Sequence, residues 1–403
     1  MHTPYRQAHA SIAALLVSVF GVLVGNGILT TLIPVRAELE GFSEVDIGLM
    51  GSAYFLGMLA GATLTPWFVQ HLGHIKAFGA SSAVGALGIV ALGVLVDPYA
   101  WIAIRGLSGF FLAGIYAIVE SYLQGKAENR IRGRLLGLYS ITQYAGWAVG
   151  GQMMRLAEPT SFALFGVAAT IVVLALLPLL LAEDDARTPG RRPSRMNLEW
   201  LYRISPVGAV CTVLIGFANG PFWTLTPAFA TTVGLSAVAT GTLMSGITLG
   251  AAAFQLPVGR LSDAMDRRLV LVALSTSTAA AEIVLFWWGS DLVGWPLIAI
   301  GALLGGLIST QYYVASAHTN DRTGRENAVG VSSALLFLYC IGAIVGPFTA
   351  SLAMRHIGPE ALFLHNGGIH IAMAIFVIMR IARRAPPPRG PEAGGYQDGA
   401  GLP

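Results

Sequence analysis

Residues 26–57 read NGILTTLIPVRAELEGFSEVDIGLMGSAYFLG and residues 219–250 read NGPFWTLTPAFATTVGLSAVATGTLMSGITLG; the two overlay without a gap at a shift of 193 positions. Asn26 and Gly27 fall on Asn219 and Gly220, and Thr31, Leu32 and Pro34 on Thr224, Leu225 and Pro227. The register continues through Gly41 and Ser43 on Gly234 and Ser236, Val45 on Val238, Gly48 on Gly241, Ser52 on Ser245 and Gly57 on Gly250. Unrelated apolar helices match by Leu, Val and Ala. These segments match by Asn, Thr, Pro, Ser and Gly at fixed spacing, which reads as duplication. Each copy is an apolar run, a short polar break and a second apolar run, so the chain is expected to build two related bundles.

The composition around the repeat sets the solvent. Of 403 residues, 55% belong to the apolar set and only 11% are charged, against about 25% charged in a soluble domain. The 49 glycines and 20 prolines are scattered through apolar runs, as in membrane helices. A span needs about 20 apolar residues, and twelve stretches qualify: 10–33, 45–69, 75–96, 98–122, 133–156, 160–182, 205–232, 237–259, 268–289, 292–317, 328–354 and 361–381. The expected fold is an all-α membrane protein with twelve transmembrane helices in two pseudo-symmetric six-helix bundles. The bundles are expected at 1–182 and 204–382, joined by an Arg-rich linker at 183–203 carrying Pro189 and Pro193, and followed by a disordered tail at 383–403. The first apolar stretch has no small-residue cleavage site and reads as a span rather than a signal peptide.

With both termini inside, 20 of the 24 Lys and Arg fall on the cytoplasmic side, three outside (Arg36, Arg155 and Arg355) and one, Arg105, within a span. This is the positive-inside distribution. Cys211 and Cys340 each sit in an apolar run, so no disulfide or thiolate metal site is expected. His365 and His370 have no metal-ligand spacing. No metal, cofactor or nucleic-acid partner is expected; the expected partners are a small-molecule substrate, protons and the lipid bilayer, with the chain working as a monomer.

The loop after the second copy reads Gly259-Arg-Leu261-Ser262-Asp263-Ala-Met-Asp266-Arg267-Arg268, and it resembles the G-x-L-x-D-R-x-G-R-R loop of the major facilitator superfamily, with Ala264 for its first arginine and Asp266 for its glycine. The loop after the first copy, Gln70-His71-Leu72-Gly73-His74-Ile75-Lys76, is further from it. Arg105-x-x-x-Gly109-x-x-x-Ala113-Gly114 resembles the superfamily's arginine-glycine motif of the fourth helix. The Gly-Pro pair that marks the fifth helix of many exporters is missing after Gly146 and Gly150, and occurs instead as Gly346-Pro347. The strings Gly73-His74, Glu120-Ser121, Arg132-Gly133-Arg134, Gly151-Gln152 and Ala317-His318-Thr319-Asn320-Asp321-Arg322, in this order, resemble the bacterial YcaD-like branch. The resemblance implies alternating access around a cavity lined by the first, fourth, seventh and tenth helices. It also implies a cytoplasmic gate at Gly73, His74, Lys76, Glu120, Gly259, Asp263, Arg267 and Arg268, with His318 and Asp321 as the second-half counterpart. Physically, an acid such as Asp263 can face a helix N-terminus, worth about 0.3–1 kcal/mol; a topology signal alone is the other reading. The spacings Gly57/Gly61, Gly146/Gly150, Gly301/Gly305 and Gly342/Gly346 read as close helix packing.

Polar groups inside apolar runs are costly and point to function. Arg105 lies seven residues into its span, about 10 Å along the axis. Two readings stand open: it meets an anionic substrate or a nearby acid, or it is structural, bonded to carbonyls or snorkelling. Asn26 and Asn219, repeat-related at mid-span, with Thr30 and Trp223 a turn beyond, fit a binding site made from slightly broken helices; interhelical hydrogen bonding is the alternative for the threonines. Tyr116, Tyr144, Gln311, Tyr312 and Tyr339 would supply walls and hydrogen bonds, or packing. Glu120 and Glu282 are the proton-coupling candidates. Glu120 lies near the cytoplasmic end with His74, Lys76 and Arg130 to Arg134 as expected partners; Glu282 reads as an isolated carboxylate, which takes up a proton to avoid burying charge, or, since the resemblance implies a peripheral ninth helix, as a neutral structural glutamate.

No H-E-x-x-H, G-x-S-x-G or C-x-x-C occurs, and no phosphate-binding loop, so enzyme and ATP-driven pump find no chemistry to stand on. The expected function is secondary active transport across the inner membrane, proton-coupled, of a small anionic or acceptor-rich solute. An exporter of drugs or metabolites with the same fold, or a transporter-like sensor or scaffold, is the alternative.

Overall fold

The computed structural model describes residues 3–126, 132–180, 197–323 and 327–383. Among them the regular elements are helices: α1 (Thr3–Leu39), α2 (Glu44–Leu72), α3 (His74–Val94), α4 (Pro98–Lys126), α5 (Arg132–Gln152), α6 (Ala163–Leu174), α7 (Leu177–Leu180), α8 (Leu198–Ile204), α9 (Pro206–Thr232), α10 (Ala237–Ala264), α11 (Arg267–Trp288), α12 (Trp295–Thr323), α13 (Ala328–Ile357) and α14 (Ala361–Arg383). The repeat shows first in the turns. Gly41 and Gly234 both take positive φ, 76° and 88°, a conformation that costs glycine little. Two residues on, Ser43 caps α2 in a capping box with Asp46, and Ser236 caps α10 through the amide of Ala239. The matched Gly and Ser pairs are therefore turn and cap of one duplicated hairpin.

Ten of these helices are long and apolar enough to cross a membrane. The other two expected spans are present in altered form. α5 carries Thr142, Gln143 and Tyr144 along its length, which lowers its hydropathy. The sixth is shortened to Ala163–Leu174, followed by a turn and Leu177–Leu180, because an irregular stretch runs through its first residues to Phe162 and the turn at Ala175 and Leu176 interrupts it. Large apolar side chains stand outward within the helices, with Leu87 69%, Leu256 71% and Ile141 66% exposed. Side chains of that size stand outward at mid-span where lipid, not water, is the solvent. The chain is a multi-pass membrane protein.

Within each bundle, small residues set the closest approaches, as expected where lipid gives no hydrophobic drive for helices to associate. Gly57 and Gly61 of α2 lie against the backbone of Gly106 and Phe110 on α4; the repeat-related Gly250 of α10 lies against Ala302 on α12. Gly150 of α5 meets Gly27 of α1, and Gly342 and Gly346 of α13 meet the backbone of α9 at Val213 and Phe217.

Contacts between the bundles gather at the end that carries the Gly41 and Gly234 turns. Gly48 abuts Ser351 and Pro347, Gly51 abuts Thr224, and Gly151 abuts Gly241 and Ser245. Ser245 Oγ donates to the carbonyl of Ala148 at 2.7 Å, and Arg155 donates to Thr242 at 3.2 Å. Toward the opposite end the interior is open: Tyr313, midway along α12, is 55% exposed, and so is Glu120 of α4 exposed.

Two expectations need adjusting. α1 and α9 run unbroken through Pro34, Pro221 and Pro227, since a membrane helix tolerates proline where neighbouring helices pack against it. The end of the expected linker is helical, as α8, capped by Asn197. The linker residues 183–196, the tail residues 384–403, Arg130, and the side chains of Arg132 and Arg134 lie outside the described residues.

Candidate functional site: a cavity between the bundles

A cavity of about 830 Å³ lies between the bundles, lined from α1, α2, α4, α5, α9, α10 and α13. Asn26, Thr30, Arg105, Tyr116, Trp223 and Tyr339, all expected at the site, stand in its wall, joined by Tyr54 and Trp147. A second space of about 730 Å³ shares Trp147, Trp223 and Tyr339 with it and adds Asn219, Tyr144, Ser309, Tyr312 and Tyr313. The tenth span therefore contributes to the second space rather than the first.

Arg105 is buried, 6% exposed, and its Cζ lies 4.4 Å from the centroid of the Tyr54 ring. The close packing of α2 on α4 at Gly57 and Gly106 sets that pair face to face. A cation over a tyrosine ring is worth about 0.5–2 kcal/mol as the site loses water. Nη1 of Arg105 has no hydrogen-bond partner, so no carbonyl holds that arm, and the same is true of Tyr116 Oη, Trp147 Nε1 and Asn219 Oδ1. Asn219 also hydrogen-bonds Tyr339 through its side chain. Buried polar atoms are nearly always satisfied in folded proteins; here Arg105, Tyr116 and Trp147 belong to the lining of the first cavity and Asn219 to that of the second space, two of the unsatisfied atoms being obligate donors and one an acceptor.

The sequence model of the Major Facilitator Superfamily matches residues 15–204 and 208–398. The chain belongs to the Major Facilitator Superfamily. An uncharacterized MFS-type transporter YcaD from Escherichia fergusonii is 26% identical over 373 residues, covering 90% of this chain and 93% of that one. Among solved structures, the nucleoside transporter NupG superposes with a TM-score of 0.76 at 14% identity, covering 92% of this chain and 98% of that one. A D-xylose-proton symporter superposes at 0.70 with 13% identity, covering 91% and 96%. These relatives and neighbours are transporters, not enzymes, and the facilitator fold of two six-helix bundles is the fold of this chain.

In this facilitator, not every expected residue faces the cavity. Gln311 is fully buried and donates through Nε2 to Thr278 Oγ1 at 3.0 Å. A helix turns 100° per residue, so with Tyr312 on the second space Gln311 points to α11. Thr30 and Thr224 bond the carbonyls four residues back, Asn26 and Gly220, which spends their donors locally. Glu282 is not isolated: its Oε2 lies 2.8 Å from His370 Nδ1, with both side chains fully buried.

The loop residues pair within their own bundle. His74 is buried and meets Ser121 at 3.1 Å rather than Glu120, while Lys76 is exposed. Gly73 joins α2 to α3 at φ 80°. Gly259 lies in α10 with open space beside it. Arg267 bridges Asp263 at 3.1 Å and Asp321 at 2.7 Å, tying α10, α11 and α12 together. Arg268 meets Asp266 at 2.8 Å, and His318 is buried beside them. Burial works to raise the Asp266 carboxyl, but hydrogen bonds from the Arg268 side chain and amide, with the charges of Arg268 and His318, outweigh it and hold the group below the ordinary carboxylate range.

Tyr54, Trp147 and Tyr313 were not legible as site residues in the sequence. Each is an aromatic in an apolar run, where packing is the ordinary meaning, and none is repeat-related. The available signal was Arg105 itself: a buried guanidinium needs a polarisable face.

Proposed function

We propose that this facilitator is a proton-coupled secondary active transporter of the bacterial inner membrane. It works as a monomer with both termini cytoplasmic, and carries a small solute with one negative or strongly accepting group. The bundles at 1–182 and 204–382 rock about the cavity, joined on the cytoplasmic side by residues 183–203. The observation that carries the substrate reading is the buried Arg105, with Nη1 unpartnered on the cavity wall. No acid shares the lining of the first cavity with it, so an anion is favoured over a cation there. Trp147 and Trp223, ring centroids 6.0 Å apart, suit an apolar, flat remainder of the molecule. The gate on the cytoplasmic side uses Gly73 to Lys76, Gly259 to Arg268 and Glu120, with His318 and Asp321; the Arg267 bridges hold the second bundle's half of it.

The test is a thermal-shift screen of small carboxylates, nucleosides, sugars and lipophilic cations on the purified protein, repeated with Arg105→Ala. Carboxylates are expected to stabilise the wild type and to lose that effect in the variant. A lipophilic cation as best ligand, with binding that survives Arg105→Ala, overturns the reading and leaves Arg105 a structural residue.

A further inference from the structure

Glu282 of α11 and His370 of α14 lie away from both spaces, each fully buried, with Oε2 2.8 Å from Nδ1. Their second polar atoms, Glu282 Oε1 and His370 Nε2, have no partner, and neither has Nδ2 of Asn366, one turn before His370. Gly367 lets the α14 backbone run against the Glu282 side chain. Leaving both of these buried atoms unmet is costly for a pair that serves packing alone.

The surroundings hold no fixed charge against the pair. α9 has no charged residue, its thiol Cys211 is packed among apolar side chains, and its Phe217 stacks on His365. α12 offers neutral Gln311, bonded to Thr278 one turn from Glu282; its His318, Asp321 and Arg322 sit at the loop end of the helix. α13 offers Thr349, 2.9 Å from His365 Nε2, and carries Arg355 and His356 only in its last turn. Arg260 and Asp263 of α10 lie in its last turns, and Arg380 and Arg383 in the last turn of α14. The titratable neighbour is His365, whose Nδ1 meets Asn366 Oδ1 at 3.0 Å.

This arrangement makes the proton count decide the net charge. With one added proton the pair is neutral overall, wherever that proton sits between Oε2 and Nδ1. Without it the pair is an anion in an apolar bundle, which is expensive until water or an opposite charge reaches it. A permanent cation in place of His370 would fix the carboxylate as charged; an apolar pair of the same volume would pack without the cost. A histidine opposite a carboxylate keeps the charge conditional on protonation.

We propose that Glu282 and His370 form the proton-binding site of this transporter, remote from the substrate cavity, loaded as a neutral pair and discharged when α11 and α14 shift with the rocking of the second bundle. Thr278 and Gln311 connect the site to α12, where Tyr312, next to Gln311, lines the second space. The proposal rests on the reading of the chain as a proton-coupled transporter and selects Glu282 over Glu120 as the carrier.

The test uses the full chain in lipid nanodiscs and needs no substrate. Infrared difference spectra are recorded across about pH 5 to 9, the window in which such groups titrate. In parallel, Tyr313→Cys, on a background with Cys211→Ser and Cys340→Ser, reports opening by its rate of maleimide labelling. A carboxylic-acid band is expected that titrates, disappears in Glu282→Gln, and shifts by about one pH unit, a tenfold change in proton affinity, in His370→Gln. The band should be unmoved in Glu120→Gln and Arg105→Ala. Labelling is expected to vary with pH, and to lose that dependence in Glu282→Gln and in His370→Gln, so either variant suffices if the other does not fold. A titrating band that survives Glu282→Gln, or labelling that keeps its pH dependence in both variants, overturns the proposal. Failure of the anion reading shows separately, as ligand binding that survives Arg105→Ala with these signals intact.

Discussion

The guanidinium of Arg105 rests over the ring of Tyr54, 4.4 Å from its centroid, and this one relationship joins two helices, a buried charge and a cavity. The ring supports the cation without using its N–H donors, and Nη1 has no hydrogen-bond partner; in the proposed function that arm is the one a ligand would take.

Replacing the ring should therefore cost affinity without removing the charge. Tyr54→Leu is expected to weaken binding of the best carboxylate by about 3- to 30-fold, matching about 0.5–2 kcal/mol for the lost cation–π contact, whereas Tyr54→Phe stays near wild type. Titration of each variant by intrinsic tryptophan fluorescence checks this; equal behaviour of Leu and Phe would count against it.

The α2–α4 contact sets a steric limit. A side chain at Gly57 meets the backbone of Gly106, while one at Gly79 meets nothing. Gly57→Val should lower the melting temperature in detergent, with an overpacking cost of about 1–3 kcal/mol, and Gly57→Ala should lower it less. Gly79→Ala serves as control and is expected to hold or raise stability, since alanine favours a helix by about 1 kcal/mol over glycine.

Access should be one-sided. On the cysteine-free background, Tyr313→Cys is expected to react with a membrane-impermeant maleimide from the cytoplasmic face. Ser351→Cys, at a fully buried position, should be protected from both faces until the bundles rock. Labelling of oriented vesicles decides it, and reaction of Tyr313→Cys from the outside alone would reverse the assigned orientation.

Asp266 gives a pH dependence with a definite sign. Its carboxyl is held below the ordinary range in the folded protein, so its contribution to stability is fully present above the unfolded value, about 3.9, and fades as pH falls through the lower folded value. Asp266→Asn should melt below wild type near neutral pH, and the gap should close as the acid limit is approached. A gap that stays constant with pH would mean that the carboxylate charge contributes nothing.

Repeat and composition together made the helices, the paired turns at Gly41 and Gly234 and the mid-span asparagines legible, because each follows from local pattern. What they left out depends on packing. Tyr54 meets Arg105 only once Gly57 and Gly106 have drawn two helices together, and Gln311 leaves the cavity because it sits one position from Tyr312. His370 became informative only when α14 laid it against Glu282, 88 residues away in the chain; as a lone histidine in an apolar run it carried no pattern at all.

Trp147, Trp223 and Tyr339 line both spaces, so in the proposed transport cycle they would act as a turnstile. On the proposed function, a solute held by Arg105 would have to pass these rings to leave, so grip and departure would be governed by different residues. Trimming the indoles would then quicken turnover and admit broader cargo while leaving the proposed charge preference of the first cavity untouched.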